Sequence, residues 1–108
     1  MPADPYKYFR VEARELLEHL GQGALDLEKG VSSGDTIARL LRLAHTLKGA
    51  ARVVKQPRIA EHAHQLEDVF AALRDSTRQA SREQIDRVLI LLDRIGALVA
   101  ALAQEGEP

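Results

Sequence analysis

Apolar residues recur at spacings of three and four along almost the whole chain, and the repeat is interrupted in three places. A helix turns about 100° per residue, so this spacing gathers apolar side chains onto one face. One such face means one buried side. The first stretch puts Phe9, Ala13, Leu16, Leu20, Ala24 and Leu27 together, with Glu12, Arg14, Glu15, Glu18 and Glu28 on other faces. Asp4-Pro5 reads as its start, because Asp caps free backbone N–H groups and Pro tolerates the first helical position. The spacing therefore predicts a helix over about 5–29. The sequence GVSSG then breaks the repeat, with Gly30 suited to a left-handed C-cap and Ser33 to an N-cap.

A second helix is expected over 34–54, burying Ile37, Leu40, Leu41, Ala44, Leu47, Ala51 and Val54. Pro57 cannot sit inside a helix and also restricts Gln56, so a short turn separates it from a third helix over 57–74. That helix turns Ile59, Ala63, Leu66, Val69, Phe70 and Leu73 to one side. After a polar stretch from Asp75 to Ala80, Ser81-Arg82-Glu83-Gln84 has the S-x-x-Q form of a capping box. It opens a fourth helix over 82–103, through Ile85, Val88, Leu89, Leu92, Ile95, Val99 and Leu102, with Ile90, Leu91 and Leu98 widening the face. Residues 104–108 read as a tail or linker. Short connections place successive helices side by side, so the chain is expected to be all-α, an antiparallel up-down-up-down four-helix bundle. No period-two alternation calls for a sheet.

The 108 residues, 45% of them hydrophobic, suit one compact domain with a modest core, and it is expected to be monomeric. Fifteen basic and sixteen acidic residues are interspersed, for a net charge of −1, which points to neither nucleic acid nor an anionic membrane as a partner. The absence of cysteine excludes a disulfide framework and thiolate chemistry. With no signal-peptide-like run in MPADPYKYF and no apolar stretch of membrane-spanning length, the expected location is the cytoplasm.

Chemistry concentrates between Leu43 and Asp68. His45 falls about 130° from the centre of the second helix's apolar face, on a flank that water and another protein can reach. Gly49 follows one turn later on the same side. A glycine inside a helix costs roughly 1 kcal/mol relative to alanine, and bare helix surface beside an accessible imidazole suits close approach by a partner.

The string Ala44-His45-Thr46-Leu47-Lys48-Gly49-Ala50-Ala51, followed by Ile59-Ala60-Glu61-His62-Ala63-His64-Gln65-Leu66-Glu67-Asp68, resembles the histidine-containing phosphotransfer (HPt) domain. It looks most like the phosphotransfer domain at the N-terminus of CheA-type histidine kinases. The resemblance implies that His45 accepts a phosphoryl group from an ATP-bound histidine kinase catalytic domain and passes it to an Asp of a response-regulator receiver domain. It also implies that Glu67 hydrogen-bonds and orients His45, and that His64 matches a second histidine in the same polar network. Lys48, one turn beyond His45, is expected to offset phosphoryl charge, and Gly49 to mark the docking face. The domain itself is expected to bind no cofactor, with ATP and Mg²⁺ supplied by the partner domains. The chain contains no G-x-x-x-x-G-K-[ST] loop, so no kinase activity of its own is expected. Where many relatives continue with small residues and glycine after Lys-Gly, this chain has Arg52-Val53-Val54-Lys55-Gln56-Pro57.

Two other classes compete with this reading. Glu61-x-x-His64 has the spacing of a di-iron helix, but such a site needs two of these motifs and two further Glu residues. A plain helical interaction domain would need nothing beyond the bundle. On spacing alone, His62 leans toward the core edge as a structural residue, and His19 is solvated.

Overall fold

In the computed structural model, which describes residues 4–76 and 78–105, with side chains described as far as Leu102, four helices are present: α1 (Lys7–Glu28), α2 (Gly34–Val53), α3 (Pro57–Arg74) and α4 (Arg82–Glu105). Each helix packs on two neighbours, in the cycle α1–α2–α3–α4–α1, and among the described residues the backbones of the diagonal pairs stay apart. With connections this short, successive helices run antiparallel around one core. Of the expected tail, residues 104 and 105 continue α4, and 106–108 lie outside the described residues.

The helix ends follow from local chemistry. α1 begins at Lys7, two residues later than its sequence suggests, because Asp4 spends its carboxylate on the turn that precedes the helix. Its Oδ1 accepts from the Tyr6 backbone N–H at 2.9 Å, and its Oδ2 pairs with Arg10 at 2.6 Å. Those contacts hold the Asp4 carboxyl below its ordinary pKa, the Arg10 hydrogen bond most of all. α1 ends in a Schellman turn: Gly30, at φ +84°, donates to the Leu27 carbonyl and Val31 to that of Asp26. Ser33 caps α2 by accepting from the Thr36 N–H. Ser81 and Gln84 exchange the two bonds of a capping box at the start of α4, at 2.9 and 3.0 Å.

The turn after α2 is a second Schellman turn, with Lys55 donating to Arg52 and Gln56 to Ala51. Here the left-handed position is taken by Lys55, at φ 58°. A side chain in that conformation costs roughly 1–2 kcal/mol. Pro57 then occupies the first turn of α3, where its missing N–H is no loss. Gln56 also donates to the Tyr6 hydroxyl, tying this turn to the start of α1.

The core contains only apolar side chains among the described residues, with Phe70, Leu20, Ile37, Leu40, Leu47, Leu66, Leu91 and Ile95 all essentially sealed. Three regions of the bundle refine the expected faces. Leu91 lies at the centre of the α4 face, Leu89 and Leu92 lie on its flanks, and Ile90 is half exposed. Where α1 crosses α2, Gly23 is buried, and a Cβ there would run into the Leu40 side chain, so the close crossing needs glycine. On the seam between α2 and α3 the buried residues are small, with Ala44 and Ala51 on one helix and Ala60 and Ala63 on the other. Small residues allow the two helices to approach closely, and polar side chains at the rim of that seam can then meet.

Candidate functional site

The site lies on the outer edge of the α2–α3 seam. α2 presents His45 there because its apolar face turns Ala44 and Leu47 inward, which leaves the residue between them on the flank. α3 presents Glu67 because Leu66 and Phe70 take the core, and Ala63 and Ala60, one and two turns earlier on the same side, keep the neighbouring backbone close. The two side chains come together across 22 positions of sequence, with His45 Nδ1 3.1 Å from Glu67 Oε2.

This pair differs in exposure, and the difference sets its chemistry. The His45 side chain is 71% exposed and that of Glu67 is 18% exposed. An ionised carboxylate only accepts hydrogen bonds, so the proton of a neutral His45 sits on Nδ1, and Nε2 keeps its lone pair. No group among the described residues bonds Nε2.

Lys48 lies on the inner side of the carboxylate. Its Nζ is 2.6 Å from Glu67 Oε1, and its side chain is 12% exposed, with the stem laid along the seam. Partial burial pushes the Glu67 carboxyl upward, but the Lys48 ammonium and the His45 imidazole together outweigh it and hold the group below its ordinary pKa. The carboxylate is therefore charged throughout the neutral range. His64, one turn before Glu67 on α3, brings Nδ1 to 3.8 Å from Oε1, which is beyond hydrogen-bond reach. It neighbours the pair without bonding it. Gly49 lies one turn beyond His45 on an exposed surface, and a Cβ built there would meet nothing within 4 Å.

Beside the imidazole lies an open hollow of about 450 Å³ lined by Leu41, Arg42, His45, Thr46, Glu67 and Arg74. The two arginines escaped the reading of the sequence. Arg42 is three residues before His45, and a helical residue leans toward the N-terminal turn, so the spacing carried the signal. Arg74 is seven residues after Glu67, two turns along the same side of α3, and becomes visible only once α2 and α3 are placed face to face.

The remaining histidines are arranged differently. His62 lies on the opposite flank of α3 in a hollow of about 390 Å³, with Arg58 beside it and Arg94, Ala97 and Leu98 from α4. Its Nδ1 is buried without a hydrogen-bond partner. Burial, with Arg94 and Arg58 adding repulsion, holds its pKa below the ordinary histidine value. His19 is exposed, and its Nδ1 is 3.2 Å from an Arg39 guanidinium nitrogen, a contact from α1 to α2. Glu61 accepts from Gln65, and among the described residues no three His, Asp or Glu side chains converge as metal ligands. Among the described residues, no helix is long and apolar enough to cross a membrane.

Known proteins match this chain over nearly its full length. The sequence profile of the Hpt domain matches residues 6–105. A protein named "Chemotaxis protein CheA" from Borreliella burgdorferi is 34% identical over 92 residues, covering 85% of this chain and 11% of the relative. Its namesake from Treponema pallidum is 30% identical over 100 residues, covering 93% of this chain and 12% of the relative. A "Sensor histidine kinase CheAY" from Helicobacter pylori is 29% identical over 98 residues, covering 91% and 12%. The chain thus spans about a ninth to an eighth of the length of these relatives. No solved structure matches it.

Proposed function

The chain belongs to the Hpt domain family, and from that premise we propose that His45 carries a phosphoryl group between two other proteins in a two-component signalling system. The donor is ATP bound to a histidine kinase catalytic domain, and the acceptor is an Asp of a response-regulator receiver domain. The observation that carries this reading is the 3.1 Å contact of His45 Nδ1 with Glu67 on a side chain otherwise open to solvent. By the names of its relatives, the pathway is one of the chemotaxis type, and ATP use by the donor sets the work in the cytoplasm.

In the loading step the Nε2 lone pair forms the N–P bond as the bond from the γ-phosphorus to its bridging oxygen breaks. ADP leaves with that electron pair. The Nδ1 proton stays, so the ring gains positive charge at the moment the bond forms, and Glu67 beside Nδ1 stabilises it. In the unloading step the N–P bond breaks, its pair returns to Nε2, and a carboxylate oxygen of the receiver bonds phosphorus. Lys48 keeps Glu67 ionised and shares its charge with the phosphoryl oxygens. His64 completes the polar surround of Glu67, and the bare helix at Gly49 lets either partner close on His45. The partner domains would supply Mg²⁺, which would offset phosphate charge during the transfer.

The test is incubation with a CheA-type kinase catalytic domain and γ-labelled ATP, comparing the wild type with His45→Gln. The wild type is expected to take up label that acid releases and base spares, as a P–N bond requires, and His45→Gln to take up none. Label that survives acid, or equal labelling of the variant, would overturn the reading.

A further inference from the structure

Phosphorylation brings a charge of about −1.5 to −2 to the edge of the bundle. The cation one turn after His45, Lys48, is already paired: its ammonium is 2.6 Å from Glu67 Oε1 and its side chain is largely covered. Glu67 takes up most of the Lys48 charge, so the share Lys48 can lend the phosphoryl oxygens leaves much of the incoming charge uncompensated. The hollow beside His45 holds two further cations, Arg42 and Arg74. Arg42 is exposed and makes no hydrogen bond or ion pair among the described residues. Arg74 is engaged through Nε alone, with the exposed carboxylate of Asp75 at 3.1 Å, which leaves its terminal nitrogens to other partners. The lean of α2 side chains toward the N-terminus sets the imidazole over the turn that bears Leu41 and Arg42.

We infer that Arg42 is the residue that holds the phosphoryl oxygens on His45 Nε2, with Arg74 facing it across the hollow as a second, weaker contact. The inference rests on the phosphotransfer reading and identifies what that reading lacks, a cation free to meet the group in transit. A guanidinium presents two parallel N–H donors matched to two phosphoryl oxygens, which an ammonium does not. Because Arg42 is exposed and unpartnered, its replacement leaves the bundle's contacts in place.

The experiment labels the wild type, Arg42→Ala and Arg42→Lys with two donors: the kinase catalytic domain with ATP, and phosphoramidate, a donor too small to dock. Arg42→Ala is expected to lose about tenfold in rate with both donors, and Arg42→Lys to recover only part of it. A ³¹P titration of the phosphorylated proteins adds a readout that a structural role would not move. The phosphoryl group should titrate at higher pH in Arg42→Ala, since a nearby cation favours its dianion. Loss confined to the kinase donor, with an unshifted ³¹P titration, would overturn the inference and make Arg42 a docking residue. Equal rates for all three proteins with both donors would also overturn it. A wild type that takes label from neither donor would overturn the phosphotransfer reading, and the inference with it.

Discussion

The two flanks of α3 each hold a histidine, and the two rings have opposite surroundings. On the α2 side, His45 is open to water but has a carboxylate on Nδ1. On the α4 side, His62 is half buried, its Nδ1 has no partner, and two arginines face it. The first ring has a carboxylate to accept from its Nδ1, and the second resists protonation. Accessibility or histidine content alone would not separate them. The sign of the charge against the inner nitrogen does.

The largest test of that contrast exchanges one variant for the other. His62→Gln is expected to take up phosphoryl label from a kinase catalytic domain and ATP at the wild-type rate, whereas His45→Gln takes up none. A marked loss in His62→Gln would show that the two flanks are not independent. Removing the carboxylate comes next. Glu67→Ala is expected to lower the labelling rate by about 10²-fold, in the range of a lost orienting or acid–base partner. Its stability, followed by denaturant unfolding, should fall by only about 1 kcal/mol, since the Lys48 ammonium it strands lies near enough to the edge to rehydrate. A stability loss larger than the rate loss would make Glu67 structural.

Gly49 gives a smaller effect in two parts. Gly49→Ala should raise stability by roughly 1 kcal/mol, because its Cβ meets open space and alanine is the better helix former. Gly49→Trp should fold and accept label from phosphoramidate, yet slow transfer from the kinase domain about tenfold through a blocked approach. Unchanged transfer would move the docking face elsewhere.

The smallest effect is one of pH. The pKa of His62 is lower in the fold than the ordinary 6.5, so below that pH the unfolded chain binds the proton first and stability declines with acid. Glu67, lowered from 4.5, contributes stability that is present above that value and is lost as pH falls through its lower folded one. His62→Leu should therefore flatten the decline that begins near pH 6.5 and leave the one that begins near pH 4.5. Thermal melts across that range would check it. A wild-type slope in the variant would mean that other groups carry the acid sensitivity.

Much of this molecule was legible in its sequence because its helices are locally consistent. Ile37, Leu40, Ala44, Leu47 and Ala51 recur at helical spacing, and all five are buried. Ser81 and Gln84 announce a cap, and the cap forms. Glu67 was placed beside His45 by the family resemblance, and the pairing of α2 with α3 brings the two side chains to 3.1 Å. Contacts set by tertiary placement were harder to read. Lys48 turns inward to Glu67 because the seam offers it a carboxylate, which spacing along α2 alone does not reveal. Leu91 takes the centre of its face, and Ile90 stays outside, because the α4 stripe is too wide for the core to cover. The left-handed Lys55 went unread for another reason: the turn's hydrogen bonds impose a conformation that its residue type disfavours. Arg42 and Arg74 share a hollow only through the pairing of α2 with α3.

The alanines of that pairing make the reactive distance adjustable from within. A 3.1 Å contact between imidazole and carboxylate tolerates only tenths of an ångström, and the spacing of the two rods that bear them is fixed by methyl groups at Ala44, Ala51, Ala60 and Ala63. Adding a single carbon at any of them would pry the rods apart and loosen the tether without altering His45 or Glu67. The tempo of such a relay can thus drift through its least reactive residues.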